Sequence, residues 1–299
     1  MKQKTLISIV GPTAVGKTAM GVLLAKHFNT EVISADSRQI YKELAIGTAK
    51  PTPDEMQGIK HHFVDELSIT QHFSAGDFEK QGLALLEKLF QQYDIVIMVG
   101  GSGLFVKALT QGFDDMPEVD ENLRAKLNQQ IETEGLESLT TQLKELDPEY
   151  YNTVDKQNTQ RVVRALEICI SSGKPYSSFR KEQSNPRWFN TISIGLNTER
   201  EILYDRINRR MDLMLEAGLL KEAESVIAYR SEYALQTVGY TEVFGFFDGQ
   251  YDYAEMVELL KRNSRRYAKR QLTWFKKDPS TTWFVPEDFE KIIKHIEQF

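Results

Sequence analysis

Residues 6–10 form a short apolar run that leads directly into a glycine turn. The spacing then becomes helical, with Met20, Leu23, Leu24 and Phe28 on one face of residues 17–28. Residues 31–34 read as a second strand. Residues 74–92 read as an amphipathic helix with Phe78, Leu85, Leu86 and Leu89 inward, and 95–99 as a fully apolar strand ending in Gly100-Gly101-Ser102-Gly103. Strands separated by helices predict an α/β fold, a parallel sheet flanked by helices on both faces. The pattern changes after residue 113. Residues 114–120 are acidic, contain Pro117 and read as a linker; 121–172 read as helix after helix; 173–187 read as a loop with Pro175 and Pro186. Residues 191–196 alternate and return to the sheet. The expected organisation is a core built from 1–114 and 191–299, with an inserted all-helical domain at 115–190. Residues 200–217, 221–229, 253–276 and a piece after Pro286 are read as helical, with no further strand.

The first turn carries chemistry. Gly11-Pro12-Thr13-Ala14-Val15-Gly16-Lys17-Thr18 matches the phosphate-loop pattern G-x-x-x-x-G-K-[ST] in full, between an apolar strand and a helix. Gly11 and Gly16 let the backbone turn and approach an anion. Successive N–H groups and the following helix N-terminus form an anion nest. Lys17 supplies a mobile positive charge, and the Thr18 hydroxyl suits a magnesium ion bridging phosphate oxygens. The fold expectation therefore sharpens to a P-loop NTPase-like sheet. The loop specifies a polyphosphate without specifying ATP. A kinase or nucleotidase places a magnesium-holding acid at the end of a later strand, and the strand at 95–99 ends in glycines, with Asp94 at its opposite end.

Asp36 follows the second strand and should face the P-loop across the crevice at the carboxyl ends of the strands. A carboxylate there could hold magnesium, accept a proton from a nucleophile, or cap the next helix. Asp36-Ser37-Arg38-Gln39 also concentrates groups suited to a base edge. His61 and His62 are neighbours on an extended segment and point to opposite faces, which argues against a shared metal.

Composition adds limits. No apolar run approaches the roughly 20 residues of a membrane span, and residues 1–10 read as a first strand, not a targeting signal. The single cysteine, Cys169, lies in an apolar stretch and reads as a buried, inert thiol. A cytoplasmic monomer is expected. The net charge is −6, yet residues 261–277 hold eight Lys/Arg and no acid, which points to a local polyanion site. Arg262, Arg266, Lys269 and Arg270 fall at helical spacing and can face phosphates together. Tyr267 and Trp274 suit either base stacking or a helix core.

These motifs, taken in order along nearly the whole chain, resemble the tRNA dimethylallyltransferase (tRNA isopentenyltransferase) family. The resemblance rests on residues 11–18, 36–41, Gly47-Thr48-Ala49-Lys50-Pro51, 100–104, Gln160-Arg161-Val162-Val163-Arg164-Ala165-Leu166-Glu167, 206–214, Val238-Gly239-Tyr240 and Ala268-Lys269-Arg270-Gln271-Leu272-Thr273-Trp274. It implies transfer of a dimethylallyl group from its diphosphate to N6 of the adenine immediately 3′ of the anticodon, in tRNAs reading codons that begin with U. It further implies that the P-loop, Lys17, magnesium at Thr18 and Arg210 hold the diphosphate, with Arg206 a second candidate, and that Asp36 removes the amine proton. Contacts with the tRNA anticodon stem-loop fall to Asp36, Ser37, Arg38, Gln39, Ser102, Gln160, Arg161, Val162, Val163, Arg164, Gln236, Thr237, Val238, Gly239, Tyr240, Thr241, Lys269 and Arg270, with the helical insertion as clamp.

Two departures stand out. The family commonly has threonine and tyrosine where this chain has Ser102 and Phe105, which questions any hydrogen bond carried at 105. Val15 replaces a common serine. The chain shows no cysteine–histidine cluster of the kind found in some eukaryotic relatives, so a bacterial-type enzyme is expected. The rivals are a P-loop nucleotide kinase, a prenyltransferase acting on free adenylate, and a non-catalytic RNA-binding protein. The missing strand-end acid, the long insertion and the intact Lys17, Thr18 and Asp36 weigh against them respectively.

Overall fold

The structure is a computed structural model describing residues 3–117, 119–180 and 186–299. It divides into two compact units, one formed by Met1–Thr110 with Arg187–Phe299 and the other by Gln111–Pro186.

In the first unit the chain runs β1 (Thr5–Val10), α1 (Lys17–His27), β2 (Val32–Ser34), α2 (Pro53–Met56), β3 (His61–His62), α3 (Ala75–Leu89), β4 (Ile95–Val99) and α4 (Gly103–Thr110). The second unit contains α5 (Glu121–Glu134), α6 (Leu136–Leu146), α7 (Pro148–Thr153) and α8 (Thr159–Ser172). The first unit resumes with β5 (Asn190–Leu196), α9 (Arg200–Glu216), α10 (Leu219–Ser225), α11 (Tyr240–Phe247), α12 (Tyr253–Phe275), β6 (Thr282–Phe284) and α13 (Phe289–Ile296). Residues 181–185 of the expected loop lie outside the described residues.

All six strands are parallel, in the order β3-β2-β4-β1-β5-β6. β1 is central and its side chains are almost wholly buried, as both faces of the sheet are covered. Asp94, at the amino end of β4, pairs with Lys4 and takes no part at the carboxyl end. β6 corrects the expectation that everything after residue 200 is helical. Its three residues are too few for an alternating pattern to declare itself, yet Ile194, Gly195 and Leu196 pair with Thr282, Trp283 and Phe284. Phe105 belongs to the core, where it stacks on Phe78 at 4.5 Å between centroids. A tyrosine hydroxyl at 105 would therefore be directed into apolar packing.

The helical unit has its own core, including Leu127, Leu139, Leu143, Val162 and Leu166. Two buried acids brace it. Asp147 accepts hydrogen bonds from the Tyr150 and Ser177 backbone N–H groups at 2.9 and 2.7 Å, and Glu167 is held by Arg124 and Arg164. Cys169 is buried in the same unit, and desolvation pushes its thiol up. Among the described residues no helix is long and apolar enough to cross a membrane.

Candidate active site

The site lies at the carboxyl ends of β1, β2 and β4, where an open parallel sheet gathers its loops. β1 passes into residues 11–16, and α1 begins at Lys17. Gly11 and Gly16 take φ of +144° and +103°, and Ala14 takes +63°. The loop thus turns its N–H groups inward at the start of a helix, the arrangement that binds anions. The Lys17 ammonium folds back over this loop and donates to the Pro12 carbonyl at 2.7 Å. Burial pushes its pKa down to about 7, Asp36 opposes this, and Arg210 adds to it. Burial also lowers the Arg210 pKa, while Glu55 of α2 opposes the shift. Arg210 donates to the Thr13 hydroxyl at 3.4 Å.

Asp36 leaves β2 and bends its own backbone. Its Oδ1 accepts from the Arg38 N–H at 2.9 Å and from the Gln39 N–H at 3.4 Å. Oδ2 makes no hydrogen bond among the described residues, so one oxygen orients the carboxylate and the other stays available. Ser102 ties the second glycine loop to this turn, since its hydroxyl accepts from the Ser37 N–H at 2.9 Å. Arg38 lies against the Tyr233 ring, 4.4 Å from the centroid.

A cleft of about 350 Å³ joins these groups. Thr13, Gly16, Lys17, Thr18, Asp36, Arg38, Gln39, Arg210, Thr237, Val238 and Gly239 all line it. Its apolar wall comes from α9, where Ile207, Met211 and Met214 share the face that carries Arg210. The Thr18 hydroxyl makes no hydrogen bond among the described residues, and no cluster of three or more His, Cys, Asp or Glu stands ready to enclose a metal there. Magnesium generally takes one or two protein oxygens and completes its shell with water and substrate phosphate. This donor set fits an ion carried largely by a diphosphate.

Three expected contact residues are placed elsewhere. Val162 and Val163, 0% and 4% exposed, pack inside the helical unit, because their helical spacing puts them on its apolar face. On that helix Gln160 and Arg161 are exposed and Arg164 is half-buried. Tyr240 is fully buried, and its hydroxyl donates to Glu222 at 2.6 Å. Burial first, and then Glu222, push that phenol up. Gln236 and Thr241 are exposed outside the cleft lining. Lys269 and Arg270 are exposed on α12, as are Arg262 and Arg266, and none of the four has a carboxylate partner among the described residues.

Two residues with structural parts in this site carried no signal of role. Glu222 accepts from the N–H groups of Ala45, Ile46 and Gly47 at 2.7–2.9 Å and so fixes the segment before the cleft-lining residues 47–51. Gln271 accepts from the Thr13 N–H at 2.8 Å and donates to the Gly101 carbonyl at 2.9 Å. Both partnerships span more than 150 residues of sequence, so no local pattern marks them.

A parallel sheet whose central strand enters a helix through a glycine turn ending in lysine and threonine defines a P-loop α/β protein. A family model described as IPP transferase matches residues 39–278, and the chain belongs to that family of transferases. It is 57% identical over 294 residues to the tRNA dimethylallyltransferase of Cytophaga hutchinsonii, covering 98% of this chain and 97% of that one. Its fold is similar to the full-length tRNA isopentenylpyrophosphate transferase of Bacillus halodurans, with 40% identity, TM-score 0.72 and 99% and 95% coverage of the two chains. It is also similar to a eukaryotic dimethylallyltransferase acting on tRNA, with 27% identity, TM-score 0.81 and 99% and 77% coverage.

Proposed function

We propose that this protein transfers a dimethylallyl group from dimethylallyl diphosphate to N6 of the adenine immediately 3′ of the anticodon, in tRNAs reading codons that begin with U. The observation that carries this reading is the meeting, in one cleft, of an anion nest, an oriented carboxylate and an apolar wall. The relatives' names describe transfer of the same group to tRNA.

The loop N–H groups, Lys17 and Arg210 hold the diphosphate, while Met211 and Met214 take the five-carbon chain. Magnesium held by Thr18 and the diphosphate would supply charge neutralisation of the leaving group. The adenine leaves the anticodon-loop stack to enter the cleft. Its amine attacks the allylic carbon as the C–O bond to diphosphate breaks, and Asp36 Oδ2 takes the amine proton. An exocyclic adenine amine is a weak nucleophile, so its alignment behind the breaking bond matters as much as the base. Arg38 and Gln39 face the base, the exposed row on α12 meets phosphates, and residues 111–186 clamp the stem-loop through Gln160, Arg161 and Arg164. The protein acts as a cytoplasmic monomer.

The test is a transfer assay with labelled dimethylallyl diphosphate and magnesium. The acceptors are an anticodon stem-loop, the same stem-loop with guanine 3′ of the anticodon, and AMP, with ATP replacing the prenyl donor in parallel. Label entering only the adenine stem-loop is expected. Label entering AMP alone, or ADP formed from ATP without prenyl transfer, would reject the proposal. Asp36→Ala should retain diphosphate binding and lose about 10²-fold or more in turnover; near-normal turnover removes Asp36 from the base role.

A further inference from the structure

We propose that Gln271 is a positioning residue for the diphosphate site, a clasp that sets the distance between the two glycine loops. The inference rests on the reading of the cleft as a diphosphate site. Gln271 is 6% exposed and sits on the inner face of α12, in line with Ser264, Ala268 and Phe275. A carboxamide buried this deeply needs partners at both ends, and it finds one on each loop, the Thr13 N–H and the Gly101 carbonyl. Thr13 is thereby held twice, its backbone by Gln271 and its hydroxyl by Arg210. The other loop is shaped to accept the clasp, since a Cβ on Gly101 would overlap Gln271 Nε2 and would lie 3.6 Å from the Lys17 ammonium. One turn earlier on α12, Tyr267 lines the cleft within interaction range of Asp36 and of the Gln271 side chain. The same carboxamide therefore bonds both the nest and the loop facing it.

A glutamine that only filled the core would alter stability and leave the anion site unchanged. The distinguishing experiment measures inorganic pyrophosphate binding, with magnesium, to the intact protein and to Gln271→Leu, Gly101→Ala and the double variant, each first melted to show folding. Gln271→Leu should weaken pyrophosphate binding about tenfold, the expected scale for two buried groups left without partners. Gly101→Ala should do nearly the same, because its backbone is unstrained and its new methyl overlaps only the end of the Gln271 side chain, with the Lys17 ammonium at ordinary contact distance. It also covers the case in which the leucine variant does not fold. The double variant should be no weaker than the weaker single, since both changes break one clasp. In the transfer assay kcat should fall with KM for the stem-loop unchanged. Pyrophosphate affinity within twofold of the parent in a folded variant, or losses that add in the double variant, would overturn the role of Gln271. The pyrophosphate arm involves no acceptor, so a protein that fails to prenylate RNA still decides the question, whereas a parent protein that binds no pyrophosphate rejects the diphosphate site itself.

Discussion

Gly11 and Gly16 occupy backbone conformations that side-chain-bearing residues rarely adopt, at φ +144° and +103°. Gly100, Gly101 and Gly103 have no such conformation, yet a Cβ on each would overlap a neighbour: the Ala35 carbonyl, the Gln271 carboxamide and the Trp274 indole respectively. The two loops meet at the same end of the sheet, and glycine serves a different purpose in each. In the first it permits a turn that points N–H groups at an anion. In the second it removes bulk so that β2, α12 and the loop can approach closely. The first loop makes a site and the second holds it in place.

This contrast predicts how substitutions rank. Gly11→Ala should be the worst, because it combines both costs: an unfavourable φ and a methyl driven into the Leu196 carbonyl of β5. A loss of ~3 kcal/mol or more is expected, seen as a large fall in melting temperature or as failure to fold. A stable Gly11→Ala protein would show that the loop can relax away from β5.

Gly16 and Gly100 separate the two costs. A Cβ on Gly16 finds room, 3.7 Å from the Pro286 Cβ, but keeps the strained φ. Gly100→Ala has an ordinary φ but strikes backbone. Each should cost about 1–3 kcal/mol, with a different outcome for asparagine. Asparagine tolerates positive φ better than alanine and should partly restore Gly16, whereas at Gly100 the larger side chain should be worse than alanine. The same ranking of alanine and asparagine at both positions, in thermal melts, would break the distinction.

The loops also differ in how far the sequence alone revealed them. The eight residues from Gly11 to Thr18 fit a spacing whose physics is local: a strand, a turn, a lysine and a helix. β1, α1 and β4 were legible for the same reason, because periodicity and a turn suffice. The second loop read only as a turn after an apolar strand, since its glycines answer to Ala35, Gln271 and Trp274, two of which are about 170 residues away. Asp36 was visible by its place after a strand, but not the split of its two oxygens, which depends on the bend at Arg38 and Gln39. Val162, Val163 and Tyr240 stood in motifs with exposed neighbours, and only packing shows that they face inward. A motif marks a segment without saying which of its side chains reach the surface.

Charge gives the last and smallest test of the contrast. The first loop carries Lys17, whose pKa burial brings down to about 7; nothing in residues 100–103 titrates. Below that pH free Lys17 is charged and the nest is ready for an anion. Above it the lysine is neutral, and binding must take up a proton before the ammonium can meet the diphosphate. Pyrophosphate affinity should therefore fall as pH rises through 7, by up to about tenfold per unit, or ~1.4 kcal/mol. Stability should move the opposite way. Lys17 in the unfolded chain titrates near 10.5, so between about 7 and 10.5 the unfolded state holds the extra proton and its contribution to stability rises with pH. Lys17→Arg keeps a charge that does not titrate in this range. Pyrophosphate has protons of its own, and comparison of parent and arginine variant by calorimetry across pH 6–9 cancels them. The parent should show a steeper fall in affinity and a proton uptake that the variant lacks. Parallel profiles would mean that Lys17 stays protonated throughout, and that its contact with the Pro12 carbonyl, together with Asp36, outweighs the burial.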